Sequence, residues 1–225
     1  MIKVGSGDID KLYVGSTEIA KAYVGSQLVY EADGGTPSLL PAGYTQLDWI
    51  QNTSDARIDA GVKGTASTSF KIRVRVDDLA NTNGIFGART STTSNCLAVN
   101  NTSGNFRFGF YRTSTTSSVA ITQGQWYDIE LNTRKFYVDG VQVDSRNNNS
   151  FTTPYNLHLF TILGTSSSKP TYYDGRCSMG ICYINDRVYV PCINPNNEVG
   201  MYETTYEQFY GSDSGTPFVA GDVTV

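Results

Sequence analysis

The sequence predicts an all-β protein, in which β-hairpin repeats at the N terminus are followed by an antiparallel jelly-roll β-sandwich. Apolar and charged residues alternate strictly over residues 70–76, which is the pattern of a strand with one face on a core. Phenylalanines alternate in the same way over residues 106–110, and Asp139-Gly140 separates two strand-like runs as a hairpin turn does. Short strands between turn clusters are typical of a sandwich or jelly roll.

Alternation also assigns a core-facing side to each strand. A further pair of strands is predicted over residues 181–190, around Asn185-Asp186, and the sequence shows no amphipathic helix of ten residues. The side chains expected in the core are Phe70, Ile72, Val74, Val76, Phe106, Phe108, Phe110, Tyr127, Ile129 and Leu131.

The composition agrees with many short strands joined by tight turns. The chain has 225 residues, which is enough for one large β-domain and a small appendage. Charged residues make up 17%, while Gly, Ser, Thr and Asn are abundant and suit turns. The 15 Tyr, 10 Phe and 2 Trp provide aromatic surface to bury, so the composition is not that of a disordered chain.

Charge and hydropathy argue against two classes of partner. The 17 basic and 21 acidic residues give a formal charge of −4 without any long cationic run, so nucleic-acid binding is not expected. No stretch approaches the ~20 apolar residues of a membrane span, so we expect no membrane insertion. The first residues lack the apolar core of a signal peptide, and synthesis in a cytoplasm is therefore expected.

The cysteines and the single histidine match no metal-binding pattern. We expect Cys96, Cys177, Cys182 and Cys192 to be small buried hydrophobic residues, with a disulfide as the alternative. No phosphate-binding glycine motif and no EF-hand calcium loop occur in the sequence. No cofactor and no metal are predicted, although a calcium ion held by scattered oxygens is left open.

A repeat of ten residues occupies the first thirty positions, and its Val-Gly-Ser centre suits a two-residue hairpin turn. Isolated hairpins are marginal in water, so the repeats need a partner that covers their apolar residues. We expect a homo-oligomer, with docking into another protein or folding back on the sandwich as alternatives. The residues expected to carry attachment and oligomerisation are Leu12, Tyr13, Val14, Ile19, Tyr23, Val24, Leu28 and Val29.

The predicted hairpin register and domain bounds follow from the same repeat. Two glycines, a proline and small polar residues after the repeats indicate a linker. The predicted parts are therefore hairpin repeats over 1–32, a linker over 33–36 and one sandwich over 37–225. The register expected across Gly15-Ser16 pairs Leu12 with Ile19, Tyr13 with Glu18 and Val14 with Thr17.

The repeat over residues 12–26 resembles the N-terminal repeats of tailed-phage and prophage structural proteins. Stretches at 44–51 with 58–61, at 124–129 and between 199 and 218 resemble the concanavalin A-like, laminin-G-like jelly-roll domains of the same proteins. Together these stretches cover nearly the whole chain. The resemblance implies a non-enzymatic virion protein of the tail-fibre, head-fibre or baseplate kind, with a lectin-like fold.

This resemblance also implies binding partners and a location in the virion. The chain would be made in the host bacterial cytoplasm and assembled into the virion through its N-terminal repeats, which would contact another virion protein. A fibre or receptor-binding appendage would bind a host-surface polysaccharide, whereas a capsid decoration protein would have a purely structural role. A homotrimer, rather than a dimer, is implied by the likeness to phage fibres alone.

Two patterns resemble parts of catalytic sites. Asp128 and Glu130 alternate on one strand like the acids of a laminarinase-like glycoside hydrolase, but Trp126 stands where the first acid is needed. His158 lies in a strand-like run, without a nucleophile and an orienting acid near it in the sequence. We therefore expect polar groups on a half-exposed strand, an ordinary strand histidine and no catalytic residues.

Tyr172, Tyr173 and Asp174 form the best local candidate for sugar binding. Sugar rings stack on aromatic side chains, and sugar hydroxyls need paired donors and acceptors. The alternative is that the two tyrosines only cover the edge of the sandwich. Trp49 and Trp126 are expected in the core.

Overall fold

The chain divides into two compact units, Met1–Ser38 with Val225 and Leu39–Thr224. The computed structural model describes residues 39–79, 83–90, 95–147, 149–164 and 175–224, together with the backbone of six short strands before residue 32. Every element of regular structure in these residues is a β-strand, and the predicted all-β fold class is confirmed. Among them there is no helix with the length and apolarity to cross a bilayer.

The first unit contains three antiparallel hairpins. The register between the third and fourth strands is the one expected from the repeat, with Leu12 opposite Ile19 and Val14 opposite Thr17. The structure does not describe the side chains proposed for oligomerisation, and the linker over 33–36 lies outside the described residues. The roles assigned to both therefore stay predictions. The strands are β1 (Lys3–Val4), β2 (Gly7–Asp8), β3 (Leu12–Val14), β4 (Thr17–Ile19), β5 (Lys21–Val24) and β6 (Gln27–Glu31).

The second unit is a sandwich of two antiparallel sheets. Its strands are β7 (Thr45–Gln46), β8 (Ile50–Gln51), β9 (Ile58–Thr65), β10 (Phe70–Val76), β11 (Gly84–Ala88), β12 (Cys96–Thr102), β13 (Asn105–Tyr111), β14 (Thr113–Ala120), β15 (Trp126–Asn132), β16 (Lys135–Val138), β17 (Val141–Ser145), β18 (Thr152–Leu159), β19 (Cys177–Ile184), β20 (Arg187–Ile193), β21 (Val199–Glu203), β22 (Gln208–Tyr210) and β23 (Val219–Ala220).

The two sheets differ in size. The larger one has the order β17-β16-β15-β10-β19-β20-β21-β22, with β7 beside β20 and with β8 between β19 and β23. The smaller one has the order β14-β13-β12-β11-β18-β9. Strands that are distant in the sequence are neighbours in both sheets, as the closing of a jelly roll requires.

Alternating side chains fill the core between the sheets, as the sequence predicted. Every second residue of β10, from Phe70 to Val76, is at most 2% exposed. The three phenylalanines of β13 are buried to the same extent and pack on aromatic residues of the larger sheet. The rings of Phe108 and Phe136, for example, lie 4.6 Å apart between centroids. Burying each such ring contributes ~1.5–3 kcal/mol to folding.

Two-residue turns connect several neighbouring strands. Asp139 and Gly140 join β16 to β17 with φ angles of 50° and 77°, which confirms the predicted hairpin. The second predicted hairpin, β19 with β20, turns at Asn185 with a φ of 54°. Positive φ at both central residues is the geometry that matches the twist of the flanking strands, and Asp-Gly adopts it at little cost.

The four cysteines are buried and unpaired, as expected for small hydrophobic residues. Burial raises the pKa of the Cys96 thiol to about 11 and raises the pKa of the other three thiols as well. All four side chains are therefore neutral thiols at physiological pH, which makes them poor nucleophiles and poor metal ligands.

Candidate functional site

The predicted sugar-binding residues, Tyr172 to Asp174, lie outside the described residues, so this assignment stays a prediction. Gly175, which follows them, lies at the entrance to β19. The Asn52 side chain fixes this entrance, because its Nδ2 donates to the Gly175 carbonyl at 3.0 Å and its Oδ1 accepts from the Cys177 N–H at 2.7 Å.

The two tryptophans are half-buried on the outer face of the larger sheet, and the prediction that they belong to the core is wrong. The inward position on β15 belongs to Tyr127, which is 4% exposed, so alternation turns Trp126 outward. The Arg75 guanidinium lies 4.8 Å from the Trp49 ring centroid and 5.1 Å from that of Trp126. Cation–π attraction thus explains why both rings gather there.

A polar network holds Arg75 in this position. Its Nε lies 2.6 Å from Asp77 Oδ1, and its Nη2 donates to Ser178 Oγ at 3.1 Å. Asp77 also accepts hydrogen bonds from Ser178 Oγ at 2.6 Å and from Gln51 Nε2 at 2.9 Å. Each of these groups has a partner within the chain, so the network stabilises the sheet.

Trp49 is covered on a second side by the chain itself. A Cβ added to Gly221 would lie 2.5 Å from the Trp49 ring, so this glycine backbone packs directly against the indole. With Arg75 also on it, the Trp49 ring has little free face for a ligand. Trp49 therefore forms part of the sheet surface and is a poor sugar platform.

Asp128 and Glu130 face outward and are half-buried on β15, in line with the expected polar strand. Lys71 on β10 places its Nζ 3.5 Å from Asp128 Oδ2, and Arg73 is the residue opposite Asp128 in the register. Trp126 also faces outward on this strand, at the position where a hydrolase of this pattern has its first acid. The two carboxylates thus sit among cations on an open strand.

His158 is 4% exposed on β18 and has partners that its neighbours in the sequence did not reveal. Its Nδ1 lies 2.9 Å from the Asn156 carbonyl oxygen, and its Nε2 lies 3.3 Å from Asp213 Oδ2. Asp213 is also 3.0 Å from Arg57 Nε. The oxygens that face the two ring nitrogens belong to a carbonyl and a carboxylate rather than to the hydroxyl of a nucleophile, and the ring links β18 to the loop after β22.

Metal ligands do not cluster in the part of the chain that the structure describes. No group of three or more His, Cys, Asp or Glu side chains there is arranged to hold a metal ion.

A groove of about 750 Å³ lies at the end of the sandwich where β10 begins. Three segments form it: the β9–β10 turn, the β15–β16 turn and the residues before β18. Phe151 closes its inner side and is 7% exposed. Hydroxyl and amide groups dominate the remaining lining, among them Thr65, Ser67, Ser69, Asn132, Thr133 and Ser150.

A smaller hollow of about 230 Å³ adjoins this groove and shares Ser69 and Asn132 with it. Tyr183, Lys71 and Glu130 line the hollow in a single row, because the register of β19, β10 and β15 places them opposite one another. The Tyr183 side chain is 43% exposed. The hollow thus combines an accessible aromatic ring with charged and amide groups.

The β19–β20 turn forms one wall of the hollow and is fixed to the start of β10. Asn185 Oδ1 accepts a hydrogen bond from the Ser69 N–H at 3.0 Å, and the Asn185 N–H donates to the Ser69 carbonyl at 2.9 Å. This reciprocal pair holds Tyr183 and the groove lining in a preformed arrangement.

The groove was missed from the sequence because its walls come from turns that lie far apart along the chain. One local signal points to it, the run Thr65-Ala66-Ser67-Thr68-Ser69, in which five small residues, four of them hydroxylated, end β9 and form the turn to β10. Chemically, the groove and the hollow together offer donors, acceptors and the ring face of Tyr183, which are the features that bind a sugar without breaking a bond.

A comparison with solved structures finds the same fold elsewhere. A proposed carbohydrate-binding protein from Bacteroides ovatus ATCC 8483, whose crystal structure was determined at 1.50 Å, superposes with a TM-score of 0.51 at 11% sequence identity. The match covers 80% of this chain and 62% of that one, so the chain spans about three fifths of its length.

The sequence comparisons give a family assignment. No curated protein sequence matches the chain. Residues 50–179, more than half of the chain, match the family of laminin-G-like domains described as the concanavalin A-like lectin/glucanases superfamily. The protein is therefore a member of the concanavalin A-like lectin/glucanases superfamily.

Proposed function

We propose that the sandwich binds carbohydrate in the groove and the adjoining hollow, without hydrolysing it. The observation that carries this proposal is the exposed Tyr183 ring beside a preformed groove lined by hydroxyl and amide groups. A volume of about 750 Å³ lies within the ordinary range of ligand pockets, roughly 300–1,000 Å³. It has room for a short stretch of polysaccharide.

The side chains around Tyr183 suit a sugar. The apolar C–H face of a pyranose stacks on an aromatic ring, while its hydroxyls bond to groups at the ring edge. Lys71 and Glu130 stand beside Tyr183 in the register, and Asn132 and Asn185 border the same hollow. Together they offer both donors and acceptors.

Binding is favoured over hydrolysis by the chemistry of the outer face of β15. Two carboxyl groups about 5–5.5 Å apart on a bond-enclosing cleft are needed for a retaining glycosidase. Here Trp126 replaces the first acid, and Lys71 lies 3.5 Å from the Asp128 carboxylate. The superfamily contains both lectins and glucanases, and the similar Bacteroides protein is itself proposed to bind carbohydrate.

The biological setting that we propose is a virion, where the protein serves as a fibre or receptor-binding appendage. Support comes from the resemblance of the repeats to those of tailed-phage structural proteins and from their pairing as hairpins. The repeats would bind another virion protein and the sandwich a host-surface polysaccharide. A purely structural capsid decoration protein is the second candidate, and labelling the protein in electron micrographs of virions separates the two positions.

The carbohydrate proposal is tested by screening the full chain against an array of bacterial surface polysaccharides. Tyr183→Ala should weaken binding to any positive glycan by about tenfold, ~1.4 kcal/mol, because the stacking face is lost. Tyr206→Ala is the matched control, since Tyr206 is 62% exposed and lies outside the groove. We expect this control to change affinity less than twofold.

Two results would contradict the proposal. Equal binding by Tyr183→Ala and the unaltered chain would exclude the combined site of groove and hollow that is proposed here. Release of reducing sugars from a bound glycan, abolished by Glu130→Gln, would mean that the protein is a hydrolase.

A further inference from the structure

Arg134 is the only charged side chain among the described residues that line the groove. It lies in the β15–β16 turn, beside Asn132 and Thr133, which contribute hydroxyl and amide groups. In the adjoining hollow, Lys71 and Glu130 carry opposite charges and cancel. The groove and hollow together are thus cationic by one charge, in a chain whose formal charge is −4.

The Arg134 guanidinium has no partner among the residues that the structure describes. This sets it apart from other half-buried arginines of the sandwich. Arg57, Arg75 and Arg146 each have an aspartate oxygen within 3.0 Å of a guanidinium nitrogen. An arginine that is left unpaired in a concave, hydroxyl-lined site has its donors available to a ligand.

The backbone at Arg134 gives a second and independent indication. Thr133 and Arg134 form a two-residue turn with φ angles of 47° and 65°. The same kind of turn occurs at Ser103-Gly104 and at Asp139-Gly140, where glycine takes the second position with a φ of 77° in each case.

Glycine adopts such angles freely, whereas a residue with a side chain is strained there. The chain therefore keeps an arginine at the one position of these three turns that faces the groove, and it does so against the preference of the backbone. Strain of this kind is a pointer to function when the side chain also faces a site.

We propose that the groove binds an acidic saccharide and that Arg134 donates hydrogen bonds to an oxyanion of the sugar, a carboxylate or a sulfate. The inference rests on the proposed carbohydrate function and narrows its ligand class. The planar fork of a guanidinium matches a flat or tetrahedral oxyanion with two parallel N–H donors, and such charge-assisted bonds are the strong ones. Tyr183 and the hydroxyl groups would hold the sugar ring beside this contact.

The test uses the full chain and pairs of polymers that differ only in charge. Polygalacturonate, alginate and hyaluronan are each compared with their carboxyl-reduced forms, which keep the rings and linkages. Dextran sulfate is compared with dextran. We expect at least one charged polymer to bind at least tenfold more tightly than its neutral counterpart, and the successful pair distinguishes a carboxylate from a sulfate.

Three variants assign the preference to Arg134. In Arg134→Gln, the affinities for a charged polymer and for its neutral counterpart should differ by less than twofold. Lys135→Gln is the matched control, because it removes the same charge one residue further on, outside the groove lining, and should keep the preference. Arg134→Gly should also lose the preference while melting at a higher temperature than the unaltered chain, since glycine suits this turn. Its loss of binding would then not be due to unfolding.

The outcomes separate this inference from the proposal on which it rests. Binding of neutral and charged polymers with equal affinity, reduced by Tyr183→Ala but not by Arg134→Gln, would overturn the acidic ligand and keep the carbohydrate site. Absence of binding by every charged polymer would also overturn it. Equal loss in Arg134→Gln and Lys135→Gln would mean general attraction to polyanions, and the inference would again be wrong.

Discussion

Cys96 is 3% exposed, and burial raises the pKa of its thiol to about 11 from an ordinary value of 9.0. Arg89, Arg107 and Arg146 favour the thiolate but only partly offset that effect. Since the raised pKa belongs to the folded state, the folded chain prefers the neutral thiol. The free energy of unfolding is therefore unaffected by the ionisation of this thiol below about pH 9. It falls progressively as the pH rises from 9 towards 11, because the thiol ionises in the unfolded chain before it ionises in the folded one.

We accordingly predict that Cys96→Ala costs less stability at high pH than at neutral pH. At pH 7.5 the variant should lose about 2–3 kcal/mol, because it gives up a buried side chain while the thiol is neutral in both the folded and the unfolded chain. At pH 10.5 the difference from the unaltered chain should shrink by more than 1 kcal/mol, since ionisation has begun to destabilise the cysteine form. Urea titration at both pH values measures this, and a constant difference would contradict the prediction.

Single residues also illustrate where reasoning from the sequence succeeds. The inward side of β15 was predictable, because Tyr127, Ile129 and Leu131 alternate and all are at most 4% exposed. The expectation that Trp126 lies in the core was wrong, because alternation with Tyr127 turns Trp126 outward. The Asp213 partner of His158 could not be predicted, because it comes from a loop far along the chain and pairing there depends on the folded sheet.

At the scale of elements, β11 approaches β12 unusually closely at Gly87. This residue has a φ of 135°, and a Cβ added to it would lie 2.2 Å from the Leu97 carbonyl oxygen and 2.6 Å from the Ala98 Cα. Both atoms belong to the backbone of the neighbouring strand and cannot rotate away. The pairing of these two central strands of the smaller sheet therefore requires glycine at this position.

Gly87→Ala should destabilise the protein by about 3 kcal/mol or more, because the strands must separate or shift their register. Gly104→Ala is the control for backbone angle alone, since Gly104 has a φ of 77° and nothing within 4 Å of its added Cβ. The control should cost about 1 kcal/mol. Chemical denaturation of both variants measures the change in the free energy of unfolding. Similar losses of stability in the two variants would show that the close approach of β11 to β12 is not the cause.

The elements differ in how much of them a sequence reveals. Hairpins such as β16 with β17 were predictable, because the turn signal Asp139-Gly140 and the flanking alternation lie within ten residues. The groove was not, because it requires the β9–β10 turn, the β15–β16 turn and the segment before β18 to meet in space. Only the completed sandwich brings these three together. Arg134, which has no side-chain partner among the described residues, can be recognised as a candidate ligand contact only in that folded arrangement.

At the scale of the whole molecule, the fold class could be predicted because the same alternation and turn signals recur along the entire sandwich. The superfamily match over residues 50–179 agrees with that prediction. Association between copies could not be predicted in this way, because strand pairing within one chain does not determine the oligomeric state. The hairpins pair internally, β3 with β4 and β5 with β6, and each two-stranded ribbon leaves two edges without a partner strand in the described pairing. Such edges and apolar side chains invite association.

We therefore predict that the full chain is a homo-oligomer held largely by residues 1–32, and the resemblance to phage fibres makes a trimer the expected form. Static light scattering at micromolar concentration should give about three times the chain mass of 24.6 kDa. A truncated chain that begins at Leu39, the start of the second compact unit, should be monomeric because it keeps its own core but lacks the hairpins. A monomeric full chain would exclude self-association and leave docking into a different protein, or folding back on the sandwich, as the role of the repeats. If the full and truncated chains are both trimers, the interface lies in the sandwich, and the assignment to Leu12, Tyr13 and their counterparts in the next repeat is wrong.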